Sequence, residues 1–308
     1  MRIEQLQAFL SVAESGSFQA AAQQCQVTQS TVSRQVQALE AELDAPLFHR
    51  GAQAKLTVAG ELLWPKASRI YQEWTQVSRE IGDLMAGKQP ELCVAAIQSV
   101  CSELLPPILQ QFCTEYPQVQ LRVTALGSDR SLKVLRDGLV DLAIVMNNPR
   151  ATTQPEMVVV PLFEETIEVL MGADHPLTQQ PTVSWAMLAR YPQVVFKDGY
   201  GMQRLVQQRF QDCGETLNSA LELNTLDAFR GIIRQGNFVA LLPQSALMEC
   251  RRDRTLAIRP TAAPILNRSV VLVTTQDRLS IPPIRRFHDL VRDLAAPLLH
   301  PTPLVEAS

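Results

Sequence analysis

Gln26-Val-Thr-Gln-Ser-Thr-Val-Ser-Arg-Gln-Val-Gln-Ala-Leu-Glu-Ala-Glu-Leu43 is the stretch on which the reading of this chain turns. Val32, Val36, Leu39 and Leu43 fall four, three and four residues apart, which is one face of an α-helix. Thr28 stands where an N-cap belongs. The opposite face carries Gln29, Ser30, Thr31, Ser33, Arg34 and Gln37, all hydrogen-bonding and only one of them charged. Such side chains suit the edges of base pairs: Gln pairs with adenine, Arg with guanine, and Ser with either. An amphipathic surface helix with a solvated face would show the same periodicity, so the flanking residues have to decide.

Working outward, residues 3–14 read as a helix with Leu6, Phe9, Leu10 and Ala13 on one face, stopped by Gly16. Ser17 caps a second helix, Phe18 to Cys25. Its Ala20-Ala21-Ala22 run lets another helix approach closely. Two short helices around a tight Gln26-Val27 turn, the second with a polar leading face, make a helix-turn-helix. Asp44 follows the third helix at a position that takes a left-handed backbone. Pro46-Leu-Phe-His-Arg50 and Lys55-Leu-Thr57, around Gly-Ala-Gln-Ala, predict a hairpin wing whose Arg50 and Lys55 can reach phosphates.

Composition bounds the reading. The 308 residues are 46% hydrophobic and 19% charged, which is ordinary for a folded protein and leaves room for two or three units. The net charge of −3 announces no polycation. Residues 1–60 hold Arg2, Arg34, Arg50 and Lys55 against Glu4, Glu14, Glu40, Glu42 and Asp44. Attraction to nucleic acid must therefore come from placement and from doubling in a dimer. No apolar run is long enough for a membrane helix, and Met-Arg-Ile-Glu-Gln-Leu lacks the apolar core of a signal peptide, so the expectation is a cytoplasmic protein away from membranes. Cys25, Cys93, Cys101, Cys113, Cys213 and Cys250 are scattered, and with four histidines they form no metal motif. No cofactor is expected.

Thr57 should cap a long helix reaching about Met85. Leu63, Ala67, Ile70, Trp74, Val77, Ile81 and Leu84 alternate four and three apart, a heptad seam that favours pairing with a second copy. Pro65 should kink or weaken it near Glu61. Ala86-Gly-Lys-Gln-Pro90 reads as a hinge. Beyond it, strands at 92–97, 119–125 and 140–146 alternate with helices at about 100–116 and 131–137. One or two strands follow over 157–171, interrupted near Phe163. A second set has strands at 193–196, 219–224 and 238–242 with helices at 202–213 and 226–235. The chain then closes with a strand at 269–275 and a helix at 284–294. The alternation predicts a parallel α/β sheet in two lobes that cross over near Phe163 and Arg268.

The residues Phe18-Gln-Ala-Ala-Ala, Thr28-Gln-Ser-Thr-Val-Ser-Arg-Gln, Leu39-Glu, Pro46-Leu-Phe-His-Arg50 and Leu56-Thr-Val-Ala-Gly60 resemble the winged helix-turn-helix of LysR-type transcriptional regulators. The resemblance covers the whole chain. It departs in Asp44, where the family usually has glycine, and in the wing around Gln53, which is poorer in bases. It implies an α/β protein with a winged helix-turn-helix at 1–58, a linker and dimerisation helix with hinge at 59–87, and an effector domain at 88–308. That domain would have a periplasmic-binding-protein-like fold, with lobe I about 91–162 and 268–300 and lobe II about 163–267. The implied partners are a double-stranded, roughly palindromic DNA operator, a second copy through the linker helix, RNA polymerase and a small-molecule effector. Assembly of dimers into a tetramer is implied too, though the sequence leaves it open. Within the family, Met85-Ala-Gly-Lys-Gln-Pro-Glu-Leu-Cys-Val-Ala-Ala-Ile97 and Val140-Asp-Leu-Ala-Ile-Val-Met-Asn-Asn148 resemble cyanobacterial activators of nitrogen (nitrate/nitrite) assimilation genes. That would make nitrite or a related metabolite the effector; regulation of inorganic-carbon uptake is the neighbouring alternative.

Ligands of such sheets bind beyond the carboxyl ends of strands, where helix N-termini offer free N–H groups. That rule selects Gln98, Ser99, Val100 and Cys101 after the first strand, Ser128 after the second and Thr225 in the other lobe, with Met146, Asn147, Phe196 and Lys197 lining the same cleft. By resemblance, Ser99 and Ser128 fall where family members contact their effector. Helix capping alone would also explain Ser99, Ser128 and Thr225. The hydroxyls and amides favour a small polar or anionic ligand. An enzyme or solute-binding protein on a two-lobed fold competes, but no phosphate loop, nucleophile elbow or paired histidines support catalysis. A thiol redox sensor would need Cys213 and Cys250 to meet.

Overall fold

The computed structural model describes residues 1–49, 53–149, 152 and 155–299, with side chains placed up to residue 295. The chain divides into two compact units, Met1–Leu84 and Met85–Ser308.

In the first unit α1 (Ile3–Ser15) ends at Gly16, whose φ of +64° turns the chain while its N–H returns to Val12 O. Ser17 caps α2 (Phe18–Gln24), its Oγ accepting from Ala20 N–H, and Thr28 caps α3 (Gln29–Leu43) through Thr31 N–H. Between them Gln26 holds φ +54°, a left-handed residue that lets Val27 N–H reach back to Ala22 O at 3.0 Å. Asp44 is left-handed as expected. The apolar stripe of α3 is shorter than the spacing suggests. Val32, Val36 and Leu39 are buried, but Leu43 is 46% exposed, because the last turn of α3 runs past the core.

The wing is a minimal hairpin. Phe48 and Leu56 form one antiparallel bridge, and His49 N–H donates to Lys55 O at 2.8 Å. Arg50, Gly51 and Ala52 lie outside the described residues. The Phe48 ring packs against Phe9 and Phe18, tying the wing to both leading helices. Thr57 Oγ1 accepts from Gly60 N–H at the start of α4 (Val58–Met85), which continues as helix through Pro65. A Cβ on Gly60 would lie 2.3 Å from Leu47 O, so only glycine lets α4 begin against the wing. Leu63, Ala67 and Tyr71 join the core of this unit. The expected seven-residue seam is thus divided: its first two positions serve their own domain, and Ile70, Trp74, Val77, Ile81 and Leu84 are left exposed.

The second unit is built on nine strands among the described residues. In chain order its elements are β1 (Glu91–Ala96), α5 (Gln98–Glu103), α6 (Leu105–Glu115), β2 (Gln120–Ala125), α7 (Ser128–Arg136), β3 (Leu142–Met146) and β4 (Met157–Gly172). There follow α8 (Trp185–Leu188), β5 (Gln193–Phe196), α9 (Gly201–Asp212), β6 (Ser219–Leu223), α10 (Leu226–Ile233), β7 (Val239–Pro243), β8 (Leu256–Pro260), β9 (Asn267–Thr275) and α11 (Pro282–Leu299). Gly87, at φ +76°, makes the turn that leads into β1.

The strand order β2-β1-β3-β9-β4-β7-β5-β6, with β8 also on β4, corrects the all-parallel expectation. β1 pairs in parallel with β2 and β3, and β5 with β6 and β7, but β4 and β9 run antiparallel to their neighbours. These two are the crossover strands. β4 pairs with β9 as far as Thr166, bulging between Pro161 and Phe163, and then pairs with β7 and β8 from Ile167 and Glu168 onward. Each half has its own core, around Val94, Phe112, Leu272 and Phe287 in one and Val169, Trp185, Phe210 and Phe229 in the other. The single helix expected over about 100–116 is two: it breaks at Leu104, and Pro106 and Pro107 occupy the first turn of α6, where no N–H is required. The helix expected from Ser131 begins at Ser128, which places the Ser128 hydroxyl at its first position. No described helix is long and apolar enough to cross a membrane.

Candidate nucleic-acid interface and ligand cleft

α3 presents its leading face to solvent. Gln29, Ser30, Arg34 and Gln37 are exposed and Thr31 and Ser33 half-buried. The Thr28 hydroxyl lies 2.9 Å from Ser30 Oγ and 2.8 Å from Thr31 Oγ1, so these two hydroxyls are oriented by the cap. Arg34 makes no ion pair among the described residues, and its guanidinium is available to a partner. A groove runs along this face, lined by Gln29, Ser33 and Gln37 together with Gln19 of α2 and His49 of the wing. Gln19 and His49 were not picked out by sequence; they reach the groove because α2 and the wing fold over α3. Lys55 is exposed on the wing. Glu40, which the charge count sets against nucleic acid, faces the chain instead: its Oε1 accepts from Leu47 N–H at 2.7 Å and Phe48 N–H at 3.3 Å. It fixes the start of the wing relative to α3.

The second unit contains a small cleft of about 30 Å³ between its halves, lined on one side by Gln98, Ser99, Ser128 and Met146 and on the other by Phe196, Tyr200, Met202 and Leu226. Several contacts join the two walls. Gln98 Oε1 accepts the N–H of Leu226, at the first turn of α10, at 3.1 Å. Asp129 takes both terminal nitrogens of Arg204, one at 2.7 Å, which raises the Arg204 pKa. A Cβ on Gly127 would meet Gly199 O at 2.9 Å, so the walls touch backbone to backbone there.

Ser99 and Ser128 do not act as N-caps. Ser128 opens α7, and its Oγ accepts from Met146 N–H at 3.2 Å, pinning the end of β3. Ser99 Oγ accepts at 2.6 Å from Nη2 of Arg268, a residue sequence reading used only as a boundary marker. Arg268 lies in the cleft wall, is 6% exposed, and pairs with Glu165 directly opposite it across β4 and β9. Burial lowers the Arg268 pKa, and the facing Glu165 opposes that shift.

Other sequence-selected residues lie outside the lining. Val100 and Cys101 are on α5, with Val100 buried in the core beneath. Cys101 is partly buried and its thiol, near Ala96 O, is pushed up to about 11 by desolvation, the reverse of an activated cysteine. Asn147 and Lys197 sit one residue past the lining residues Met146 and Phe196, and Thr225 Oγ1 caps α10 through Ala228 N–H. All six cysteines are free thiols. Among the described residues no three His, Cys, Asp or Glu converge as a metal site.

Comparison with known proteins accounts for both units. Residues 3–61 match the bacterial regulatory helix-turn-helix proteins of the lysR family, and residues 86–296 match the LysR substrate binding domain. The chain is 55% identical to a probable nitrogen assimilation transcriptional activator of Synechococcus elongatus, over 95% of each chain. It is 54% identical to a protein of the same description from Synechocystis, over 95% of this chain and 97% of that one. The crystal structure of HinK, a LysR family transcriptional regulator from Pseudomonas aeruginosa, shares the fold with a TM-score of 0.71 at 22% identity, covering 95% of this chain and 98% of that one. With family matches spanning the reading helix at one end and the cleft at the other, the chain is a member of the LysR family of DNA-binding transcriptional regulators.

Proposed function

We propose that this regulator activates genes of nitrate and nitrite assimilation, and that a small polar or anionic effector in the cleft of the second unit controls it. What carries the pathway is the 55% identity, over 95% of the chain, to a protein described as a probable nitrogen assimilation transcriptional activator. In this reading Gln29, Ser30, Thr31, Ser33, Arg34 and Gln37 meet base edges in a major groove, while Arg50 and Lys55 of the wing contact the sugar-phosphate backbone. The exposed half of α4 pairs with a second copy and so presents two reading helices to a roughly palindromic site. Residues 1–58, 59–87 and 88–308 divide these tasks. RNA polymerase is the partner through which activation is delivered, and the cytoplasm is the place of action.

The effector reading rests on a small, mostly apolar cleft into which Gln98, Ser99, Ser128 and Arg268 bring polar groups, a mixture that suits a small ligand. The test is footprinting of the full-length protein on DNA upstream of nitrate and nitrite assimilation genes, with and without sodium nitrite, beside DNA upstream of inorganic-carbon uptake genes. Protection of the first that changes with nitrite is expected. Protection confined to the carbon-uptake DNA would overturn the pathway.

A further inference from the structure

A buried cation needs acceptors for its hydrogens, and Arg268 has acceptors for only part of its fork. Its Nε and Nη2 both donate to Glu165 Oε1, at 2.9 and 2.7 Å, and Nη2 also donates to Ser99 Oγ at 2.6 Å and, more weakly, to Ser245 Oγ at 3.4 Å. Glu165 is itself fixed from the other half of the unit: Ser245 donates its N–H to Oε2 at 2.7 Å and its hydroxyl to Oε1 at 3.1 Å. This leaves Nη1. It makes no hydrogen bond among the described residues, it is not among the polar atoms sealed from the surface, and Arg268 forms part of the cleft wall. A guanidinium presents its N–H groups in a rigid planar fork, so with one edge clamped the direction of the remaining nitrogen is set as well.

The rest of the wall restricts what can meet that nitrogen. Ile97, Met146, Phe196, Met202 and Leu226 are apolar, which disfavours a heavily hydrated or extended ligand. On the opposite side the first N–H of α10 is occupied by a neutral carbonyl oxygen, Gln98 Oε1, reaching over from the other half. An acceptor oxygen already stands at a helix N-terminus where an anion is favoured. Glu165 neutralises the charge of Arg268, so the surplus field comes from the helix end, which suits one negative charge better than two.

We propose that Arg268, held in place by Glu165 and Ser245, is the specificity residue of the cleft, and that the effector is a small, singly charged anion, a carboxylate or an inorganic oxoanion, with an oxygen that accepts from Nη1. This rests on the cleft being the effector site. Lysine in place of Arg268 would keep the charge and lose the fork. Removing Arg268 alone would strand Glu165 as a buried charge, so the second variant removes both charges together.

The experiment is calorimetric titration of the full-length protein with sodium nitrite and, separately, sodium acetate, against a sodium chloride control. Wild type is compared with Arg268→Lys, with the double variant Glu165→Gln/Arg268→Gln, and with Ser128→Ala, each first shown to melt cooperatively. One or both anions should bind wild type, nitrite alone marking an inorganic source and acetate alone a carboxylate. Affinity should fall at least about tenfold in Arg268→Lys and in the double variant. If the double variant does not fold, Arg268→Lys decides. Wild-type affinity in the folded Arg268 variants, with a loss in Ser128→Ala, leaves the cleft standing and overturns the role of Arg268. Unchanged affinity in all variants removes the cleft as the site and the proposal with it. If neither anion binds wild type, the ligand class is wrong.

Discussion

Arg34 and Glu40 sit on the same helix and have opposite work. Arg34 is exposed and without an ion pair among the described residues, so nothing in the fold depends on it. Arg34→Ala should leave the melting temperature within error and weaken specific operator binding by about 1–3 kcal/mol, read by quantitative footprinting. Unchanged binding would remove Arg34 from base reading. Glu40 accepts two backbone N–H groups of the wing, so Glu40→Ala should destabilise the domain by about 1–3 kcal/mol in denaturant unfolding, since both donors lose their partner. A stability unchanged from wild type would show that water replaces the carboxylate at no cost. By charge alone Glu40 reads as an acid that repels DNA; its contact with residues seven and eight positions on gives it a structural role. The Arg268–Glu165 pair is a stronger instance. Its members are 103 residues apart, and no periodicity joins them; only the antiparallel register of β4 and β9 does. Ser99 and Ser128 were legible as cleft residues because they follow strands, but what their hydroxyls hold was not.

At the level of elements, α3 and α4 could be read because caps and apolar spacing pointed the same way, and β5 from its short apolar run. Two features escaped that logic. β8 is a short strand of Leu-Ala-Ile-Arg-Pro with weak alternation, placed by its pairing to β4 and by contacts of Arg259 and Pro260 with residues 178–183. The break at Leu104 hides in an apolar run, since proline in the first turn of α6 ends one helix and starts another. α4 shows how one periodic pattern can serve two purposes. Leu63 and Ala67 are taken by the first unit's core, whereas Trp74 and Ile81 are 55% and 57% exposed. An exposed apolar stripe of this length marks an interaction surface. Under the proposed dimer, Ile81→Glu should shift the protein to monomer in sedimentation at micromolar concentration, whereas Leu62→Glu, off the seam though 66% exposed, should not. A dimer surviving Ile81→Glu would move the interface off this helix.

Over the whole molecule the charge is unusual for a DNA-binding protein, at −3. Part of the first unit's sparse positive charge is also spent internally, the N-terminal ammonium pairing with Glu42. Residues 1–60 offer four basic side chains, Arg2, Arg34, Arg50 and Lys55. Each phosphate neutralised contributes a slope of about −0.9 to the dependence of log affinity on log salt, so a dimer using all of these bases is limited to about −7. Arg34 is assigned to bases rather than phosphates, which makes the expected slope shallower still. Binding to random DNA should then be weak, and discrimination should rest on the hydrogen bonds of α3 rather than on bulk attraction. The measurement is a fluorescence-anisotropy titration of operator and scrambled DNA across a salt series. A slope shallower than about −7, with operator binding persisting at salt that abolishes scrambled binding, is the expected result. A markedly steeper slope would mean that cations beyond residue 60 reach the backbone, and Lys66 and Arg69, exposed on α4, would be the first to replace with alanine.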